Sequence, residues 1–380
     1  MSRVHLGDVA IEHKETCKED KSKYPIVGLE HLTAEQITLQ KWDLNTENTF
    51  TKVFRKGNIL FGRRRAYLKK AAVAPFDGIC SGDITVIEAK EDKIVPELLP
   101  FVIQNDDLFD FAVGKSAGSL SPRVKWTHLQ NYEFELPDKP KQHELAKVLW
   151  AIENTRKSYQ ELIKRTDELV KSQFIELFGE LGSDDKGWGL TTLGQCCELN
   201  PKRPRDINDE TMVSFVPMPA VSEDGKIDCL DIRPYKEVRK GFTYFAENDV
   251  LFAKITPCME NGKGAVARGL ENGIGSGSTE FHVLRPIAGK SNPYWLYIIT
   301  MFDTFRVGAR KVMTGTGGQL RVPIGYLNDY PISLPPIELQ NSFEEFVHQS
   351  DKSKFGKEMC DKWILEIQNS WYQMYRILHQ

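Results

Sequence analysis

The side chains in this sequence best placed to do chemistry are cations gathered on short runs. Arg55, Lys56, Arg63, Arg64, Arg65, Lys69 and Lys70 fall within sixteen residues. Lys and Arg neutralise phosphates, which makes binding dependent on salt. Ser, Thr, Gln and Arg are the side chains that reach base edges in a groove. Glycine lets the backbone come close to a partner. By that chemistry the candidates for nucleic-acid contact in the first half are Arg63, Arg64, Arg65, Tyr67, Lys69, Lys70, Lys115, Ser119, Ser121 and Arg123. In the second half they are Lys254, Thr256, Lys263, Ser278, Thr279, Arg310, Lys311, Thr314, Thr316, Gln319 and Arg321. For any single residue in these sets, a solvated surface is the simpler explanation. What outweighs it for the pooled set is recurrence at matched positions of a repeat.

Catalytic signatures fail when tested one by one. Asn292-Pro293-Tyr294-Trp295 has one proline where the catalytic loop of adenine methyltransferases has two, and it reads as a helix start with an aromatic anchor. Asp77 with Glu88-Ala89-Lys90 has the spacing of a metal-dependent nuclease, but the matching stretch of the repeat ends Arg285-Pro286 without carboxylates. Gly273-Ile274-Gly275-Ser276-Gly277 and Gly315-Thr316-Gly317-Gly318 lack the Gly-Lys-Ser/Thr ending of a phosphate loop. The eight histidines show no metal-ligand spacing. The chain reads as a binder of nucleic acid, with no catalytic or metal site and no cofactor of its own.

The elements that must position these loops occur twice. Gly57-Asn58-Ile59-Leu60-Phe61 and Ser81-Gly82-Asp83-Ile84-Thr85-Val86-Ile87 return as Asn248-Asp249-Val250-Leu251-Phe252 and Ser278-Thr279-Glu280-Phe281-His282-Val283-Leu284. Arg123-Val124 answers Arg321-Val322, Leu136-Pro137 answers Leu334-Pro335, and each copy closes at a glutamine, Gln142 and Gln340. A period near two hundred residues is far longer than a solenoid repeat of roughly 20–50, so this is a duplicated domain. Short β-branched runs with glycines nearby predict strands at Ile59-Leu60-Phe61 and Ile84 to Ile87.

Residues 141–178 contain no Pro or Gly, and Leu145, Val148, Ile152, Thr155, Tyr159, Leu162, Thr166 and Leu169 alternate three and four apart, as a heptad seam does. Leu149, Ile163 and Val170 widen the stripe, so the helix is expected to pack against more than one neighbour. Asp138 is placed to cap that helix and Gly179 to stop it. A second seam runs from Leu339 to Leu378. The expected organisation is a first globular domain over 1–139, a helix over 140–179, a second domain over 180–336 and a final helix over 337–380. The fold class is α+β, with the two helices pairing antiparallel and the domains pseudo-two-fold related.

Composition sets the frame. At 380 residues with 41% apolar content there is material for two cores. The net charge of −3 argues mildly against a nucleic-acid binder, so distribution matters more than the sum. Seven cysteines without a Cys-x-x-Cys suit neither a disulfide framework nor a zinc ribbon. No apolar run approaches a membrane span and the first residues lack a signal-peptide core. The expected setting is therefore soluble and cytoplasmic, with no membrane partner.

The chain resembles the specificity subunit of type I restriction–modification systems. The resemblance rests on the two Ile/Val-Leu-Phe strands, on Gly277-Ser278-Thr279-Glu280-Phe281, on Thr314-Gly315-Thr316-Gly317-Gly318 and on the boundary from Leu334 to Gln340. The first half departs from the pattern, with Ser81-Gly82-Asp83-Ile84 and Gly118-Ser119-Leu120 in the matching places. What the resemblance implies is a non-catalytic host-defence subunit whose two target recognition domains each read half of a split site in double-stranded DNA. It implies a coiled coil that fixes the spacer and docks two methyltransferase subunits, with restriction subunits joining. S-adenosylmethionine and ATP are expected in those partner subunits. The competing readings are the recognition subunit of another DNA-modifying defence complex, and a duplicated coiled-coil scaffold that binds no DNA.

Overall fold

The computed structural model describes residues 2–18, 20–118, 121–227 and 231–350. The chain divides into two compact units, Met1–Ser158 and Tyr159–Gln380. In the first, the strand Ile59–Gly62 is buried along its whole length, as an unbroken apolar run requires of a strand covered on both faces. It pairs antiparallel with Ala71–Val73 on one side and Ile84–Ala89 on the other, and Ala10–Glu12 completes the four-stranded sheet. Side chains alternate across it. Ile59 and Phe61 join a core with the helices Leu99–Ile103 and Asp106–Gly114. Leu60 and Val86 face the opposite core, which is closed by a smaller sheet. There Gly78–Cys80 runs parallel to Ile26–Val27 and antiparallel to Lys52–Phe54.

The second unit repeats this plan strand for strand. Cys197–Leu199, Phe281–Pro286, Val250–Ala253 and Gly264–Val266 stand in the same order, and Val250 and Phe252 face one core while Leu251 faces the other. The smaller sheet again sets a central strand, Ile274–Gly277, parallel to Met212–Val216 and antiparallel to Thr243–Ala246. An added edge strand, Asp231–Pro234, has no counterpart among the described residues of the first unit. One glycine recurs for a steric reason. A Cβ on Gly78 would stand 2.5 Å from the Phe54 ring, and one on Gly275 would stand 2.0 Å from the Phe245 ring. A short antiparallel pair closes each unit, Ser2–His5 with Glu133–Leu136 and Leu190–Thr192 with Pro331–Ser333.

A helix occupies Lys139–Phe178. The Asp138 carboxylate accepts the Lys141 N–H at 3.1 Å, and Gly179 ends the helix at φ +82° with its N–H on the Ile175 carbonyl. Its early turns place Ala146, Leu145, Leu149 and Trp150 against the core of the first unit. Its last turns place Val170, Phe174 and Phe178 in the core of the second, where both rings meet Phe343 at 5.6 and 5.3 Å. Phe343 lies on a helical stretch over 337–350.

Against the two cores this helix buries residues that widen the expected seam, including Leu149 and Val170. Val148, Leu162 and Leu169 are 39%, 45% and 53% exposed, and of the predicted seam only Thr166 is fully buried, beside Ala146, Glu153 and Val170. Each globular core takes the flank of the stripe nearest to it, as a stripe that packs against more than one neighbour allows. Residues 351–380, where the opposing seam was expected, lie outside the described residues.

Candidate nucleic-acid interface

In the first unit the chain leaves its central strand at Arg63. The Arg63 N–H donates to the Asp83 carbonyl at 3.0 Å, and the Arg63 carbonyl accepts from the Val124 N–H at 2.9 Å. Arg64 donates through Nε to the Ser121 hydroxyl at 2.6 Å and lies 3.5 Å from Asp83. Arg65 and Lys69 both adopt the left-handed region, at φ +54° and +49°, and bracket the single turn Ala66–Leu68. Ala66 anchors that turn in the core, which pushes Tyr67 and Leu68 out to 54% and 42% exposure. The Lys69 ammonium sits 2.5 Å from Asp106, and Lys70 donates to the Leu29 carbonyl at 2.8 Å. Lys115 is exposed, 5.8 Å from the centre of the Phe111 ring. Ser119 lies outside the described residues.

Asp83 closes the first arrangement. It accepts Arg123 Nε at 2.7 Å and Nη2 at 3.2 Å, and the Arg123 guanidinium holds its carboxyl below the ordinary aspartate range. The backbone of Arg123 is paired in both directions with Ala117.

The second unit builds the same frame from different side chains. The Lys254 N–H donates to the Glu280 carbonyl at 2.9 Å, and the Lys254 carbonyl accepts from the Val322 N–H at 2.9 Å. Glu280 grips Arg321 through Nε at 2.9 Å and Nη2 at 2.8 Å, and that arginine lowers the Glu280 carboxyl. The Ala117/Arg123 bridge is replaced by a hairpin, Thr314–Thr316 with Gln319–Arg321. The Thr256 hydroxyl accepts the Leu320 N–H at 3.0 Å and donates to the Gly318 carbonyl at 2.8 Å, fastening the hairpin to the strand end.

Thr314, Thr316 and Gln319 are exposed on that hairpin, and Thr279 is exposed next to Glu280. The Ser278 hydroxyl accepts the Glu280 N–H at 3.2 Å. Lys263 reaches the Met218 carbonyl at 3.4 Å, Arg310 pairs with Glu260 at 2.9 Å, and Lys311 is exposed at the end of the helix Asp303–Lys311. Burial pushes the Lys254 ammonium below its usual pKa; the nearby Glu280 carboxylate opposes this and Arg321 adds to it. An open depression lies beside each clamp, lined in the first unit by Lys52, Ser81 and Asp83 and in the second by Thr243, Lys254 and Phe281.

The structure thus brings Arg63, Arg64, Arg65, Ser121 and Arg123 together at one strand end, and Lys254, Thr256, Ser278, Thr279, Gln319 and Arg321 at the other. Arg55 and Lys56 do not join the first group, because Arg55 pairs with Glu15 and Asp77 and the Lys56 N–H bonds Asp77. Sequence reasoning passed over the carboxylates Asp83 and Glu280, although each follows a repeated serine by two residues. It also left Gln142 and Gln340 without a role. Gln142 accepts the Val95 N–H at 2.8 Å and donates to the Pro137 carbonyl at 2.7 Å. Gln340 accepts the Asn292 N–H at 2.9 Å and donates to the Pro335 carbonyl at 2.9 Å and the Lys290 carbonyl at 3.0 Å. Each pins the first turn of a helix to the unit before it.

The stretches set aside as catalytic have ordinary duties. Asn292 caps the helix Pro293–Met301 through the Tyr294 and Trp295 N–H groups, and Trp295 is fully buried. Lys90 donates to the Gly7 carbonyl, while Glu88 bonds His13. Among the described residues no cluster of three or more His, Cys, Asp or Glu has the arrangement of a metal site, and no helix is long and apolar enough to cross a membrane.

The family model for the type I restriction modification DNA specificity domain matches residues 3–165. The chain is 40% identical over 196 residues to the type I restriction enzyme EcoAI specificity subunit of Escherichia coli, covering 47% of this chain and 33% of that protein. It is 38% identical over 201 residues to the EcoEI specificity subunit of the same organism, covering 52% of this chain and 33% of the relative. The chain therefore spans about a third of the length of these curated relatives. A crystal structure of the S subunit of a type I restriction–modification system from M. genitalium shares the fold, with a TM-score of 0.56 at 11% identity over 97% of this chain and 94% of that one. These matches bear out the resemblance carried by the motifs.

Proposed function

We propose that the chain, whose residues 3–165 match the model of the type I restriction modification DNA specificity domain, is the DNA-recognition subunit of a type I restriction–modification complex. It reads a split site in double-stranded DNA, one half with each unit. The observation that carries this reading is the second clamp. The unit beyond the matched segment repeats the sheet order and the strand-end hydrogen bonds of the first, with Lys254, Glu280, Arg321 and Val322 standing where Arg63, Asp83, Arg123 and Val124 stand. A recognition domain present twice, with different loops on the same frame, suits a site with two dissimilar halves.

The chain does no chemistry of its own in this proposal. It holds the duplex for methyltransferase subunits, which bind S-adenosylmethionine, and for restriction subunits, which use ATP, all in the cytoplasm. The helix Lys139–Phe178 pairs antiparallel with the helix that begins at 337, giving the two domains a pseudo-two-fold relation and fixing the spacer. Supporting that pairing are the contacts of Phe174 and Phe178 with Phe343.

The test is selection of bound duplexes from a random library by the chain assembled with its methyltransferase. Two short motifs at a set spacing are the expected result. A single contiguous motif would remove the two-domain reading, and no salt-dependent binding at all would favour a scaffold.

A further inference from the structure

We infer that Arg63 and Lys254 are paired anchors for backbone phosphates, one in each unit, and that Arg123 and Arg321 are positioning residues. This rests on the DNA reading above and adds to it a division of labour among the cations. Arg63 and Lys254 leave the same point of the same strand. The N–H of each bonds the carbonyl of the clamp acid, and the carbonyl of each accepts the N–H that follows the clamp arginine. A side chain rooted by two backbone bonds has a fixed origin, as an anchor needs.

The clamp decides which charge stays available. Asp83 meets Arg123 with two hydrogen bonds, and Glu280 meets Arg321 in the same way. Bidentate pairing of this kind occupies the guanidinium edge that would otherwise face a ligand. The oxygens of the acid are thereby engaged, and none of them makes a hydrogen bond to the next cation along. Neither Arg63 nor Lys254 has a side-chain hydrogen bond or ion pair among the described residues, although both charges are felt by the clamp acids. Arg63 Nε is buried without an acceptor. A partly buried cation left unpaired is costly to keep, yet this molecule keeps one at the same place in both copies.

The pair of residue types points to phosphate. Arginine and lysine share charge and donor capacity but not geometry. A position filled by either in two copies of one domain therefore suits a phosphate oxygen better than a defined base edge. Lys254 also lines the depression beside its clamp, with Thr243 and Phe281, so this residue borders a surface open to a strand.

The experiment is a salt titration of duplex binding by the chain assembled with its methyltransferase, using the selected site and single-base variants of it. R63A and K254A are each expected to make the plot of log affinity against log salt shallower by about 0.9, and the double variant by about twice that. The ranking of the variant sites should not change. R63K and K254R should keep the wild-type slope. R123A and R321A should lower the melting temperature of the chain and leave the slope of the remaining binding intact. Inorganic phosphate, compared with chloride at matched ionic strength, should not compete. Unchanged slopes for R63A and K254A alongside salt-dependent wild-type binding would overturn the inference and leave the proposed function standing. Loss of discrimination at one base pair would make these residues base readers. Competition by inorganic phosphate at low concentration would make the sites free-anion sites. A slope changed by R321A and not by K254A would reverse the roles. Wild-type protein that binds no duplex would remove both the inference and the function on which it rests.

Discussion

The two strand ends have the same frame and opposite styles of display. In the first unit five cations lie between Arg63 and Lys70, around a turn that projects Tyr67 and Leu68, and among the described residues the closing segment is held by isolated bridges of Arg123 to Ala117 and to Arg64. In the second, Lys254 and Thr256 stand at the strand end, and the display moves to a hairpin carrying Thr314, Thr316 and Gln319 around its glycines. The frame is invariant between the copies because it is made of backbone bonds and one acid–arginine pair, which loop substitutions do not touch. The loops are free to differ because the matched residues Val124 and Val322, both buried, tie each closing segment into its own core. Recognition can thus diverge between two copies without a change in the cores that support it.

The sharpest way to break this comparison is through the two buried glutamines. Gln340→Leu orphans one N–H and two carbonyls, and Gln142→Leu orphans one N–H and one carbonyl. At about 1–3 kcal/mol for each buried group left unpaired, both variants should unfold at markedly lower denaturant, with Gln340→Leu the worse. Equal, negligible losses in urea titrations of the two would show that the helices are not pinned through these amides.

A smaller effect separates the closing segments. A Cβ on Gly315, at φ +147°, would stand 2.3 Å from the Gln319 carbonyl oxygen, whereas one on Gly118, at φ +117°, has nothing nearer than 3.5 Å. Gly315→Ala should therefore weaken binding to the second half-site by about 1–3 kcal/mol, the usual range for local backbone strain. Gly118→Ala should cost the first half-site less. Footprinting of each half-site reports the two losses separately, and an identical loss in both would mean that the hairpin is not tightly built.

The smallest expected effect concerns acid. Asp83 and Glu280 have carboxyl pKa values lowered in the fold by Arg123 and Arg321. Groups with depressed folded pKa values contribute stability that is fully present above the ordinary carboxylate range and lost as pH falls through the folded values. Both arginines are substantially exposed, so each clamp should contribute no more than about 1 kcal/mol. Asp83→Asn and Glu280→Gln should flatten the acid limb of melting temperature against pH by similar amounts. A change in one unit alone would show that the clamps are not equivalent.

Much of the frame was legible from the chain because it is written twice. Matching Arg123 with Arg321, and Gln142 with Gln340, needed only the repeat, and the strands at Ile59 and Ile84 needed only their apolar runs. The helix was legible in extent, and Leu149 and Val170, which widen its heptad stripe, do pack on the two cores, whereas the buried Ala146 and Glu153 were not legible. Periodicity records which residues are apolar and is silent on which neighbour covers them. The Gly78 and Gly275 contacts were likewise hidden, because the rings that fill the missing Cβ positions lie on neighbouring strands.

By itself, then, the sequence determined that one domain occurs twice, that cations and hydroxyls recur at matched places, and that helical segments follow each copy. Tertiary structure alone decided which of those cations remain unpaired. Asp83 and Arg123 are 40 residues apart in the chain, and Glu280 and Arg321 are 41 apart. An ion pair depends on a distance in space of a few ångströms, and only the folding of two strands and a closing segment onto one corner sets that distance. The same corner that satisfies Arg123 and Arg321 leaves the half-buried side chains of Arg63 and Lys254 without a hydrogen bond or ion pair among the described residues.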